Sequence, residues 1–381
     1  MVKEKKILLI SHDASRTGAP IVMKNLALLL NECDDVQFEI LIKHSKIKSL
    51  YKDFKSLAPT SFLSSWTKRI NLSLFKNLFF LNLNRSKIVK KYIFSFDTVI
   101  SNTITNGDMH FYLKDHPNVI TYVHELEEAI VNCTTPKNLQ NVIKHSNCFL
   151  YPSIAVKENL QINYKIDEKK LFQIPAYIPD RFHEKEINRN LTRCKLQIKK
   201  SEFLIIGIGT NSWTKGPDIF IQTILFAKKN GLNVIGVWLG SNINSIEHRR
   251  LLYDIKKMNL TDYVSILPPA NDVINYLSAA DLFFLSSRED SYPLVMIEAA
   301  MMELPIMYFK GSGGASEFVE TDAGIALEYG RIDSVVSQLS ELINDTELHQ
   351  KYAINAREKY LRFHSKESVS NSINDILNFK K

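Results

Sequence analysis

The chain has 381 residues, a net charge of +7, 45% apolar residues and 23% charged residues. These are the proportions of a soluble globular protein large enough for two domains with separate cores. Four scattered cysteines, Cys33, Cys133, Cys148 and Cys194, make no CxxC pair, which argues against a zinc site or a disulfide framework and for reduced thiols in a cytoplasm.

Taken in chain order, the first apolar run is Ile7 to Ile10, behind Lys3, Lys5 and Lys6. It is too short for a signal-peptide core and reads as a strand, Lys6–Ser11. Ser15-Arg16-Thr17-Gly18-Ala19-Pro20 follows, then a helical pattern over Ala19–Asn31. Gly18 permits a tight turn and close backbone approach, and Pro20 suits a first helical turn. Such a loop presents N–H groups and a positive helix end, to which an anion fits. The pattern is not GxGxxG, and a plain strand–turn–helix reads equally well.

After the strand Phe38–Lys43 comes a basic stretch. Lys43–Lys91 holds twelve lysines and arginines against one acid, Asp53, with Trp66, Phe75, Phe79 and Phe80 interleaved. A solvated basic face over core aromatics explains it, and so does contact with an anionic membrane surface. No nucleic-acid motif accompanies the charge, so a nucleic-acid partner is not expected. No apolar run approaches the roughly 18 residues of a membrane span.

A helical pattern over Ser86–Phe94 and strands at Asp97–Ser101, Val119–Val123 and Cys148–Pro152 complete the first half. His124 ends one of these strands, ahead of Glu125, Glu127 and Glu128. No second histidine stands at metal-ligand spacing, so no metal site is expected. Residues 181–200 are charged and poor in pattern and read as a linker.

The second half repeats the rhythm. Strands are expected at Phe203–Gly207, Asn233–Leu239, Val264–Leu267, Leu282–Ser286 and Pro305–Phe309. Helices are expected near Asp218–Asn230, Ile246–Met258, Asn271–Ala279, Leu294–Met302 and Val335–Phe363. Alternation of this kind implies parallel sheets covered by helices, an α/β fold of two doubly wound domains. Domains are expected at 1–180 and 201–364, with 365–381 as a C-terminal helix packing back on the first.

Three loops in this half carry chemistry. Gly207-Ile208-Gly209-Thr210-Asn211-Ser212-Trp213-Thr214-Lys215-Gly216-Pro217-Asp218 joins a strand to a helix. Lys215 at the helix entrance adds a point charge to the helix dipole, which makes a phosphate site. The order Lys-Gly without GxxxxGK[ST] is not a P-loop. Ser287-Arg288-Glu289-Asp290-Ser291-Tyr292-Pro293-Leu294-Val295-Met296-Ile297-Glu298 sets Asp290 and Glu298 eight positions apart, at the carboxyl end of a strand and inside the next helix. Carboxylates there suit the paired hydroxyls of a ribose or hexose. Lys310-Gly311-Ser312-Gly313-Gly314-Ala315-Ser316-Glu317 offers consecutive glycine N–H groups to an oxygen-rich ligand, with Glu317 as a helix cap.

Together these residues resemble glycosyltransferase family 4, retaining sugar-nucleotide-dependent enzymes of GT-B architecture, in which two Rossmann-like domains face a cleft. The likeness spans nearly the whole chain and is strongest from Phe203 to Gly330. Asp290 and Glu298 are similar to the family's acid-x7-acid motif, with Glu289 as an off-register alternative to Asp290. Lys215-Gly216, Gly313-Gly314-Ala315-Ser316-Glu317, Thr17-Gly18-Ala19-Pro20 and Val123-His124-Glu125 resemble other family motifs. Two departures stand out: Thr210 occupies the place of a frequent arginine, and the first acid is an aspartate.

The resemblance implies that Lys215 binds the donor diphosphate beside Gly209 and Thr210, and that Glu298 holds the ribose. Asp290, or Glu289, contacts the transferred sugar with the backbone near Gly313 and Gly314. His124 lies beside that sugar, and Gly18 lets the N-domain loop approach. The implied activity is transfer of a hexose from a UDP- or GDP-sugar to a glycan or lipid-linked acceptor, with retention and without metal or cofactor. Cell-surface polysaccharide assembly is the implied setting, in the cytoplasm or peripherally on the inner face of the plasma membrane. Thr210 and the shortened acid leave one alternative, a catalytically silent subunit that binds glycan or supports a partner enzyme.

Overall fold

The computed structural model describes residues 4–64 and 87–377. The chain divides into two compact units, Met1–Tyr177 with Val369–Lys381, and Ile178–Ser368. Each is built on one parallel sheet.

In the first unit the described strands are β1 (Lys5–Ser11), β2 (Val36–Ile42), β3 (Thr60–Phe62), β4 (Thr98–Asn102), β5 (Val119–Tyr122), β6 (Cys148–Tyr151) and β7 (Leu171–Gln173), in the order β3-β2-β1-β4-β5-β6-β7. Leu8, Leu9, Ile10, Val99 and Val119 are all but fully buried. That is the condition of strands covered by helices on both faces. The strand order reverses between β1 and β4, which opens a crevice at their carboxyl ends.

The second unit holds β8 (Phe203–Ile208), β9 (Val234–Leu239), β10 (Val264–Leu267), β11 (Leu282–Leu285), β12 (Ile306–Phe309) and β13 (Gly324–Leu327), in the order β10-β9-β8-β11-β12-β13. Its reversal lies between β8 and β11. Phe220, Trp238, Phe284 and Phe309 form the aromatic centre of its core. Phe220 meets Trp238 edge-on at 5.5 Å between ring centroids. Both units are Rossmann-like, and strands β3, β7 and β13 join the expected ones; at three or four residues they are too short to show a period.

Residues 181–200 are not a linker. Lys185–Lys195 is a helix and belongs to the second unit. Its polar sequence conceals two anchors. Arg193, 8% exposed, donates to the Ala279 carbonyl, Asp281, and the Lys199 and Glu202 carbonyls. Arg189 donates to the Ala280 carbonyl and to Asp281. Asp281 in turn accepts from the Leu204 N–H at 2.7 Å, at the start of β8.

The expected last helix over Val335–Phe363 is two helices, Ile332–Asn344 and Thr346–His364. Asp345 breaks it, because its carboxylate caps the second helix at the Leu348 N–H. A further helix, Lys366–Leu377, follows. Its Val369 and Ile373 are buried in the first unit, around a small apolar cavity with Leu26, Tyr122 and Ile174.

Within the basic stretch, Trp66, Phe75, Phe79, Phe80 and the basic residues between them lie outside the described residues. Ser86, the start of the expected helix over Ser86–Phe94, lies there too. Among the described residues, no helix is long and apolar enough to cross a membrane.

Candidate active site

In the second unit the loops after β8 and β11 meet at the point where the strand order reverses. Lys215 ends a short 3₁₀ turn, Trp213–Lys215, and Gly216 links that turn to the helix Pro217–Lys229. Gly216 has φ of 66°, and a Cβ there would come within 2.2 Å of the Ser286 carbonyl oxygen. Both the left-handed backbone and the close approach require glycine. The Ser286 hydroxyl donates to the carbonyls of Lys215 and Gly216, and the Arg288 N–H donates to the Thr214 carbonyl at 2.7 Å. The two loops are thereby stitched together.

Lys215 Nζ lies 2.5 Å from Asp290 Oδ2. The Ser287 hydroxyl donates to the same oxygen at 3.2 Å. The Asp290 side chain is 9% exposed and that of Lys215 is 30% exposed. The structure therefore joins two predicted site residues from separate loops. Gly209 packs on the stem of Lys215, since a Cβ on it would sit 3.1 Å from Lys215 Cγ. Thr210 is exposed, and its hydroxyl donates to Ser212 Oγ at 3.1 Å.

The glycine loop folds onto the same acid. The Asp290 N–H donates to the Ser312 carbonyl at 2.6 Å, and Gly313 pairs with Asp290 as an isolated parallel bridge. The Gly314 N–H is engaged, donating to the carbonyls of Asp290 and Ser291. This corrects the expectation that it points at a ligand. Glu317 stands in the first turn of the helix Ala315–Val319, whose N-cap is Gly314. Glu289 is half-buried beside Asp290. Glu298, also half-buried, stands in the second turn of the helix Leu294–Met301.

Arg288, which precedes the acidic pair, is committed within the unit. Its guanidinium forks onto both oxygens of Asp218 at 3.0 and 2.6 Å, and also reaches the Trp213 carbonyl and the Tyr329 hydroxyl. It stacks over the Trp213 ring at 4.8 Å. Most of its donors are used within the unit. It acts as a clamp behind the Lys215 turn.

In the first unit the carboxyl ends of β1, β4 and β5 carry His12, Asn102 and His124. His124 Nε2 lies 2.6 Å from Asn102 Oδ1. Burial holds the His124 imidazole far below its ordinary value, to about 3, and His12 adds to that. His12 is itself lowered, chiefly by burial. Glu125 accepts from the Thr103 hydroxyl and from the N–H groups of His124 and Ile104, and burial raises its carboxyl. Thr103 takes φ of 85°, a costly conformation for a threonine. Gly18 starts the helix Gly18–Leu30; its N-cap Thr17 makes no side-chain capping bond, and the Thr17 hydroxyl pairs instead with that of Ser15 at 2.8 Å. The space where a Gly18 Cβ would stand is open. Packing within the unit does not demand this glycine.

His12 and Asn102 escaped the sequence reading. The signal that singled out His124, a polar side chain ending an apolar strand, applies equally to both. Among the described residues, no group of acids, histidines and cysteines is arranged to hold a metal ion.

Residues 188–359 match the family model described as glycosyl transferases group 1. An uncharacterized glycosyltransferase of Haemophilus influenzae is 34% identical over 103 residues, 27% of this chain and 29% of that one. The amylovoran biosynthesis glycosyltransferase AmsD of Erwinia amylovora is 29% identical over 132 residues, 35% of this chain and 37% of that one. The chain thus spans about a third of the length of these first curated relatives. Among solved structures, Anabaena Alr3699/HepE in complex with UDP and glucose aligns over 99% of this chain and 100% of its own, with a TM-score of 0.81 at 17% identity. That likeness shows the GT-B fold.

Proposed function

We propose that this GT-B chain, whose residues 188–359 match the model for glycosyl transferases group 1, is a retaining, metal-independent hexosyltransferase. It takes its sugar from a nucleoside diphosphate, as UDP or GDP, and delivers it to a glycan or lipid-linked acceptor in cell-surface polysaccharide assembly. The observation that carries this reading is the pairing of Lys215 with Asp290 at the β8/β11 reversal, at the entrance of a helix. A cation beside a helix N-terminus suits a diphosphate. The solved relative in complex with UDP and glucose supports the choice of donor class.

When the bond between the anomeric carbon and the phosphate oxygen breaks, its electron pair stays on the diphosphate. Lys215 stabilises that growing charge. The acceptor hydroxyl bonds to the same face of the sugar and gives up its proton to the departing diphosphate oxygen, which carries the electron pair of the broken bond. Donor binding draws Lys215 away from Asp290 and frees the acid for the sugar hydroxyls, with Glu289 as its neighbour. Glu298 takes the ribose, and Gly209 leaves room for the lysine stem. His124 and Gly18 serve the transferred sugar. The glycine loop contributes through Gly313 and by holding Asp290 in place, since the Gly314 N–H is already engaged.

Calorimetry and product analysis across UDP- and GDP-sugars test the reading. One donor should bind and turn over with retention in the presence of a chelator. A chain that binds glycan but no sugar nucleotide is the silent subunit, and the proposal fails. Peripheral membrane attachment through Lys43–Lys91 is a separate part of the proposal. It predicts salt-sensitive co-sedimentation with anionic vesicles, and its absence removes that part alone.

A further inference from the structure

We infer that Asn102 is a positioning residue that holds His124 as its Nε2–H tautomer, leaving a lone pair on Nδ1 to accept a hydrogen bond from a ligand hydroxyl. This deepens the transferase reading and rests on it only for the identity of the ligand as a sugar.

Asn102 is the last residue of β4 and fully buried. It lies in register with Tyr122 of β5, and His124 follows two residues later, on the same side of the strand direction. The Tyr122 and His124 rings pack 4.1 Å apart. The far end of the Asn102 amide is fixed by the chain itself, because Nδ2 donates to the Ala19 carbonyl at 2.7 Å. A nitrogen spent on a carbonyl leaves the amide oxygen facing the other way, and this network sets the amide's orientation. That oxygen is 2.6 Å from His124 Nε2. An amide oxygen only accepts, so Nε2 must carry the hydrogen.

A neutral imidazole with hydrogen on Nε2 has its lone pair on Nδ1. The ring is neutral because burial opposes its charge, and the titratable group that acts on it is His12, whose own proton affinity burial also lowers. Among the described residues no hydrogen-bond partner is seen for Nδ1. A lone pair there welcomes a donor. A sugar hydroxyl is a donor, whereas a carboxylate, or the diphosphate of a sugar nucleotide with both ends esterified, carries no hydrogen at neutral pH and is repelled. The Nδ1 edge therefore selects the sugar part of a sugar nucleotide rather than its phosphates. The same amide ties the ring to the first turn of the helix beginning at Gly18, which fixes that helix start relative to His124.

Long-range proton–nitrogen correlation spectra of the ¹⁵N-labelled full chain read the tautomer directly, with His124→Gln identifying the signals. The wild type should show hydrogen on Nε2 at neutral pH. Asn102→Asp keeps an acceptor at that place and should keep the tautomer. Asn102→Leu removes it and should give mixed tautomers and donor-sugar binding weakened by up to about tenfold, the scale of one hydrogen bond. Hydrogen on Nδ1 in the wild type, or the same tautomer in Asn102→Leu as in the wild type, would overturn the inference. Should the leucine variant not fold, the wild-type spectrum decides. The readout needs no turnover, so a correct tautomer in a chain without transfer counts against the transferase reading alone.

Discussion

Replacing Lys215 with alanine separates a catalytic loss from a structural one. The ammonium sits 2.5 Å from Asp290, with the lysine side chain 30% exposed and the aspartate 9% exposed. Breaking a fully buried pair costs about 3–5 kcal/mol and a surface pair about 0–1 kcal/mol. Lys215 is partly in water, and Asp290 retains the Ser287 hydroxyl. The fold should therefore lose about 1–2 kcal/mol, well inside the roughly 5–15 kcal/mol that holds a domain together. Loss of one preorganised donor to a growing negative charge costs about 10²–10³ in rate. The variant should thus stay folded while its kcat at saturating donor falls about a hundredfold or more. Product formation and denaturant midpoints, measured on one preparation, give both quantities. A folded variant with kcat within about threefold of wild type would refute the assignment, since transition-state stabilisation would not depend on the lysine. Asp290→Asn is the complement. It frees Lys215 from its counter-charge, so diphosphate binding should hold or tighten while turnover drops; equal loss of nucleotide binding in both variants would remove the competition between acid and phosphate.

The anchoring of residues 181–200 predicts that Arg193→Ala lowers stability by about 2–4 kcal/mol, because it leaves Asp281 and several carbonyls short of partners. An unchanged urea midpoint would return that segment to the status of a linker. Gly216→Ala should cost about 1–3 kcal/mol and displace the Lys215 turn, given its φ of 66° and the 2.2 Å approach to Ser286; a variant with native stability and activity would contradict the geometry. Acid should weaken the first unit. Burial lowers His110 to about 4 and His124 to about 3, so below the ordinary value of 6.5 the unfolded chain binds protons that the folded chain refuses. This stabilisation is complete above about pH 6.5 and drains away toward the folded values. The shift at His110 alone is worth about 3 kcal/mol. His110→Asn should flatten the pH dependence of the urea midpoint, and an unaltered slope would show that the proton is taken up elsewhere.

Much of the fold was legible because buried parallel strands must be apolar almost continuously. Runs such as Phe203-Leu204-Ile205-Ile206 announce themselves, whereas the three residues of β3 or β7 do not. The helix Lys185–Lys195 was hidden for the opposite reason. It is held by arginines reaching carbonyls and Asp281 rather than by an apolar stripe, and a charged pattern in sequence does not distinguish a solvated loop from an anchored helix. The long C-terminal pattern concealed its break because Asp345 is a single residue whose side chain, not its spacing, ends the run.

Local chemistry placed the candidate residues. Lys215 stands where a strand becomes a helix, Asp290 and Glu298 are eight positions apart, and His124 ends a strand; each is a statement about neighbours in the chain. Which of them touch was decided by the order of strands. The reversal between β8 and β11 brings Lys215 onto Asp290, spends the Gly314 N–H on that acid's loop, and commits Arg288 to Asp218. In the first unit the pairing of β4 with β5, which sets Asn102 opposite Tyr122, brings Asn102 to His124. Periodicity along a chain records which side chains must leave water. Hydrogen bonds and ion pairs need partners within about 3 Å, and only the folded sheet selects those partners from residues tens of positions apart.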